Sequence, residues 1–323
     1  MKNFSFGILT ALVLVSFCAC SKDAENSETR FLLDTVVTLS AQCSDNVLSS
    51  AFGECERYEK LLSTNIDSSD VYKLNGSTDN DGLVKISKDT EKILERSVYY
   101  SKKTAGKFDI TVYPVSSLWN FKNETVPSKN EIAQALRRVG YESIDIEDGG
   151  AKLNGAEVEL GGIAKGYIAD RLLDFFKAEN VKNGIINLGG NITVFGDKEY
   201  RVGIKKPFSE ENECIAFLNL KNKSAVTSGI YERCFYKDDK LYHHIIDPET
   251  GYPAESDLVS ATVISDSSFD ADALSTCSIL LGERKAAELI ESTAETEAVF
   301  VNKDGKITYT SGLKKEKNDF YIK

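Results

Sequence analysis

Apolar residues recur at helical spacing in the first half of the chain and at strand spacing in most of the second. This change of period sets the fold class. Residues 46–62 carry Val47, Ala51, Cys55, Tyr58 and Leu62 on one helical stripe. Ser87 is placed to cap a second helix running through Leu94 and Val98 to about residue 104, with Gly106 beyond its end. Ser128 and Glu131 form a capping-box pattern ahead of Ile132, Leu136 and Val139, and Gly140 stops that helix. Residues 31–39 and 158–160 read as strands, the latter turning through Gly161 and Gly162 into a helix with Ile168, Leu172 and Phe176. Strands follow at 184–188, 200–206, 214–220, 241–246, 259–264, 297–302 and 306–310, with helices at 270–281 and 283–292. The pattern predicts an α+β fold with mixed sheets and packed helices, in one domain or two subdomains, and excludes regular βαβ alternation.

Residues 1–19 are read apart from the fold. Lys2 precedes a mostly apolar run over 4–17 that is too short to span a bilayer comfortably, and Ala19-Cys20 closes it. This predicts a secretory signal cleaved before Cys20, with Cys20 lipidated as in a lipoprotein. Residues 20–29 form a polar tether and 30–323 the folded domain. Such a chain is a membrane-anchored lipoprotein of a bacterial envelope, facing the periplasm. Without Cys18 and Cys20 an odd set remains, Cys43, Cys55, Cys214, Cys234 and Cys277, which excludes a full disulfide framework and lacks zinc spacing. The net charge of -11 argues against nucleic acid as a partner. An acidic protein that holds a polyanion needs a metal, a few placed lysines or helix N-termini.

Four segments carry chemistry. Glu159-Leu160-Gly161-Gly162-Ile163-Ala164-Lys165-Gly166 is a glycine turn opening a helix, where free backbone N–H groups and Lys165 suit a phosphate. It is neither a Walker A loop nor a dinucleotide-binding G-x-G-x-x-G, and a turn chosen for packing reads equally well. Asn187-Leu188-Gly189-Gly190-Asn191 is a second polar glycine turn after a strand. His243 and His244 are the only histidines, and adjacent strand residues face opposite sides, so one can point into a given site. Asp272 and Thr276, four apart on a mostly apolar helix, offer a carboxylate and a hydroxyl on one face, a donor set that suits Mg²⁺.

Together and in this order, these segments resemble the ApbE family of FAD-dependent FMN transferases over nearly all of residues 30–323. Leu62-Ser63-Thr64 through Leu74-Asn75, Gly106 to Asp109 with Pro114 and Trp119, Thr227-Ser228-Gly229 and Thr250-Gly251 join the match. The resemblance implies a T-fold-like flavin transferase domain that uses FAD and Mg²⁺ and moves FMN to Thr or Ser of acceptor flavoproteins outside the cytoplasm, releasing AMP. It implies the Ala164 carbonyl, Asp272 and Thr276 as metal ligands. Asn75, Phe108, Asp109, Thr227, Ser228 and Gly229 are implied at the ligand, Lys165 near the diphosphate, and His244 near the reacting phosphate as general base. The sequence departs from the family at Asn65, where an aromatic usually follows the Ser-Thr pair. A small polar residue there suits a looser site that admits water, giving a FAD pyrophosphatase that yields FMN and AMP. A lipoprotein that binds flavin without turnover is the reading from another class.

Overall fold

The computed structural model describes residues 25–77, 82–209, 211 and 213–323. The signal segment, Cys20 and the start of the tether lie outside the described residues. Among these there are eight α-helices: α1 (Asp45–Leu62), α2 (Asp70–Asn75), α3 (Lys88–Lys103), α4 (Tyr113–Ser116), α5 (Lys129–Ala135), α6 (Ala164–Ala178), α7 (Ser268–Leu281) and α8 (Glu283–Glu291). None is long and apolar enough to cross a membrane.

The frame is an eight-stranded sheet. Its strands run in the order Asn26–Leu32, Thr35–Ala41, Gly184–Leu188, Asn191–Phe195, Lys223–Gly229, Leu258–Ser265, Thr296–Asn302 and Ile307–Tyr309. Every neighbouring pair is antiparallel. Side chains alternate across it. Ile186, Val226, Val263 and Phe300 enter the large core beneath α1, α6, α7 and α8. Their neighbours Ile185, Ala225, Ile264 and Val299 enter a second core. That core is closed by a four-stranded sheet of Tyr200–Lys205, Cys214–Leu220, Leu313–Glu316 and Asp319–Ile322. A third cluster forms around Trp119, with Val112, Val115, Ile132 and Ile246.

Two expectations are corrected here. Residues 31–39 are not one strand, and residues 26–29 are not tether. Leu33 and Asp34, both at φ 55, turn the chain and fold it into a hairpin whose first arm starts at Asn26. That arm is an edge strand with polar residues on both faces from Asn26 to Arg30, which is why composition alone read them as tether. Residues 158–160 are extended but join no sheet. Val158 pairs instead with the Asn75 side chain, its N–H donating to Oδ1 at 2.8 Å and its carbonyl accepting from Nδ2 at 2.9 Å. The strand expected over 241–246 ends at His243, and Ile246 bridges to Pro253 across a turn.

The two capping predictions hold: Ser87 and Ser128 each accept from a first-turn amide, and Glu131 closes the Ser128 box. Ser44 caps α1 in the same way. Helix α7 is different, because it is buried nearly all round, Asp272, Ser275 and Ser278 included. Asp170 of α6 caps it, accepting from the Ser268 and Phe269 amides at 2.9 and 3.2 Å. A buried helix capped from its neighbour is fixed in register, and this sets the site.

Candidate active site

Helix α6 begins against the first turns of α7. Ile163, at its N-cap, contributes no side-chain cap. The open amides of the first turn find a carboxylate instead, since the Gly166 N–H donates to Asp272 Oδ2 at 2.8 Å. Gly166 permits this approach. A methyl group on its Cα would lie 2.7 Å from Asp272 Cβ and 2.8 Å from Phe269 Cα. One turn earlier, a Cβ at Gly162 would sit 3.3 Å from Thr276 Oγ1 and 3.3 Å from the Phe108 ring. Ala164 lies between these two contacts. The turn, Asp272 and Thr276 are therefore packed together, the grouping that the family resemblance implies.

Ser228 completes the group. Its hydroxyl lies 2.7 Å from Ser275 Oγ and 3.3 Å from Thr276 Oγ1. Strand alternation sends Thr227 to the other face, where it meets Thr262 at 2.8 Å. Gly229 is pressed by the Tyr231 ring, 2.6 Å from where its Cβ would stand. Of this triplet, only the Ser228 side chain reaches Thr276.

Burial raises the pKa of Asp272, opposed by the charge of Lys165 and the Gly166 and Lys165 amides. A buried carboxylate so placed gains from a nearby cation. Among the described residues no group of three or more His, Cys, Asp or Glu gathers for a metal. One carboxylate, one hydroxyl and backbone oxygen form a hard-oxygen donor set of the kind that can hold a divalent cation which keeps several waters.

Other expected ligand residues serve as supports. Both ends of the Asn75 amide are taken by Val158. Asp109 caps the turn at residues 110–112, with Oδ1 accepting from the Thr111 amide and hydroxyl and Oδ2 from the Tyr141 amide. Its polar atoms are thus occupied within the protein. Phe108 is buried, backing Gly162. Asn65 is exposed, its amide bonded to Ser63 Oγ at 3.0 Å.

His244 follows the strand Lys240–His243, its N–H donating to the Arg233 carbonyl at 3.1 Å. The ring Nδ1 is buried without a protein partner. Burial first, then the charges of Arg233, His243 and Lys165, push its pKa down to about 3. It is neutral at pH 7, the form in which an imidazole accepts a proton. Sequence reading missed Arg233, Glu232 and Asp170, because no local pattern marks them.

His243 faces inward, with Nε2 3.2 Å from the Ala254 carbonyl oxygen, and burial lowers its pKa to about 4. A depressed folded-state pKa gives stability that is complete above the unfolded value near 6.5 and is lost as pH falls toward 4. Urea unfolding of His243→Gln, compared with the parent, is expected to fall less steeply between pH 6.5 and 4.5. The difference in slope is at most about 1.4 kcal/mol per pH unit, the value for one proton. Parallel slopes would show that His243 already titrates normally.

Comparison with known proteins gives a consistent answer. The ApbE family model matches residues 33–300. A FAD:protein FMN transferase of Klebsiella pneumoniae is 33% identical over 287 residues, covering 87% of this chain and 90% of the relative. One from Treponema pallidum is 31% identical, covering 82% of this chain and 80% of the relative. The ApbE protein of Thermotoga maritima superposes with a TM-score of 0.81 at 29% identity, over 89% of this chain and 97% of that one. The flavinyl transferase ApbE of Pseudomonas stutzeri gives 0.78 at 26% identity, over 90% and 95%. With the glycine turn, Asp272, Thr276 and Ser228 gathered at the start of α6, and with a match of this length, the chain belongs to the ApbE family.

Proposed function

We propose that the protein is a Mg²⁺-dependent FAD:protein FMN transferase. It cleaves the FAD diphosphate and attaches FMN through a phosphoester to a Thr or Ser of an acceptor flavoprotein, releasing AMP. It works as a lipoprotein of the bacterial envelope, held to a bilayer through Cys20 and facing periplasmic acceptors. The observation that carries the reading is the packing of Asp272 and Thr276 against the turn at Gly162–Gly166. Asp272, Thr276 and the Ala164 carbonyl would hold Mg²⁺, which neutralises the diphosphate and polarises the attacked phosphorus when bound. Lys165 supplies a further positive charge for the phosphates. His244, with a buried ring nitrogen that has no protein partner, takes the proton of the acceptor hydroxyl. Ser228 orients Thr276 through their 3.3 Å contact. Incubation with FAD, Mg²⁺ and an unflavinylated acceptor should give one AMP per FMN adduct found by mass spectrometry. If neither appears, the reading is wrong.

The second reading, hydrolysis to FMN and AMP, is favoured by the exposed Asn65, which brings no ring to the ligand. Asn65→Tyr is expected to lower AMP release in the absence of acceptor several-fold, the effect of one added stacking contact. Unchanged hydrolysis would remove Asn65 from the account.

A further inference from the structure

Seven of the nine arginines pair with a carboxylate: Arg30, Arg57, Arg96, Arg138, Arg171, Arg201 and Arg284. Arg233 forms no ion pair among the described residues. Its Nη2 donates to the Asp34 carbonyl oxygen at 3.3 Å, and a backbone oxygen leaves the positive charge uncancelled. Asp34 is itself fixed, in the tight hairpin turn at φ 55, with Thr35 wedged against Gly189. The guanidinium is thus held in place by one donor and keeps the others of its planar fork open.

Its position is specific. The Arg233 carbonyl accepts from the His244 amide at 3.1 Å, and Cys234 pairs with His243 in the adjoining hairpin. The charge of Arg233 acts on His244, on Glu159 and on Glu232. Lys165 acts on His244 and Glu232 as well, and it too lacks an ion pair among the described residues, its Nζ reaching only the Gly161 carbonyl at 3.3 Å. Two cations, neither in an ion pair among the described residues, therefore lie near His244, whose ring Nδ1 is buried without a protein partner. What sets this pair apart is its place: Arg233 stands opposite His244 across the hairpin with open donors, and open guanidinium donors suit a phosphate.

We propose that Arg233 grips a phosphate of the substrate dinucleotide, acting with Lys165 beside His244. This rests on the FAD reading given above and adds a recognition residue to it. An arginine suits the task because its fork meets two phosphate oxygens at once.

The test is equilibrium titration by flavin fluorescence, without Mg²⁺, of the parent, Arg233→Gln and Arg233→Lys proteins. FAD and riboflavin are the two probes, since riboflavin carries the same ring and no phosphate. Arg233→Gln is expected to weaken FAD about tenfold to a hundredfold, the range for a charged hydrogen bond. Riboflavin should bind unchanged, and Arg233→Lys should recover part of the loss. Equal loss of riboflavin and FAD overturns the proposal, because Arg233 would then merely brace the Asp34 turn. Unchanged FAD binding in Arg233→Gln overturns it as well. If the parent protein binds no FAD either with or without Mg²⁺, the reading of the whole site fails, an outcome distinct from both.

Discussion

Asp272→Asn is expected to leave the protein folded and to lower FMN transfer by about a hundredfold to a thousandfold. The amide oxygen of Asn can still accept the Gly166 N–H, which Asp272 Oδ2 takes at 2.8 Å, so the start of α6 stays capped. What is lost is the negative charge facing the cation. Charge stabilisation by a bound metal is worth several kcal/mol in the transition state, and each 1.36 kcal/mol is about tenfold in rate. A second readout separates charge from packing. In the parent, Mg²⁺ at about a hundred times its Kd should add roughly 2.7 kcal/mol to stability, seen as a rise in Tm. In the variant that rise should vanish while the metal-free Tm holds or increases, since burial already disfavours the ionised carboxyl. A variant that keeps both the Mg²⁺-dependent rise and the transfer rate would show that Asp272 is only the cap of α6.

How much of this was legible follows from how local each signal is. Serine caps at Ser87 and Ser128 need only the next three residues, so sequence located those helices closely. The Asp272–Thr276 face is equally local, being one helical turn. The strand Asn191–Phe195 escapes the sequence reading, which ends at the polar glycine turn of Gly189 and Gly190. Their φ values of 66 and 96 make them a two-residue hairpin turn, which Gly-Gly between apolar runs signals. Lys223–Gly229 was missed for another reason. Its burial comes from partners on both sides, Asn191–Phe195 and Leu258–Ser265, distant in sequence. Asn75 and Asp109 were placed at the ligand by family resemblance, and their bonds to Val158 and Tyr141 arise from contacts that no spacing encodes. Arg233 shows the limit most clearly. Nothing in its sequence neighbours marks it; only its place opposite His244 across the hairpin does.

Gly166→Ala is expected to damage both stability and activity. Backbone and Cβ atoms of α7 surround the position, with Asp272 Cβ at 2.7 Å and Phe269 Cα at 2.8 Å from the added carbon. Neither neighbour is the end of a flexible side chain, so α6 and α7 must move apart. They are poorly free to do so. Asp170 ties α6 to the α7 amides, and α7 is wedged against the sheet. Overpacking of this kind costs about 1–3 kcal/mol, and the helix preference of Ala over Gly returns less than 1 kcal/mol. The separation also carries the Gly166 N–H away from Asp272 and Gly162 away from Thr276, so activity should fall further than stability predicts. Gly53→Ala supplies the control. Gly53 lies inside α1 with nothing within 4 Å of its added carbon, so the same change should raise stability by roughly 0.5–1 kcal/mol and leave transfer intact. Urea unfolding with transfer rates on both variants decides the matter. If Gly166→Ala matches Gly53→Ala in both measurements, the close approach of α6 to α7 does not set the geometry of the site.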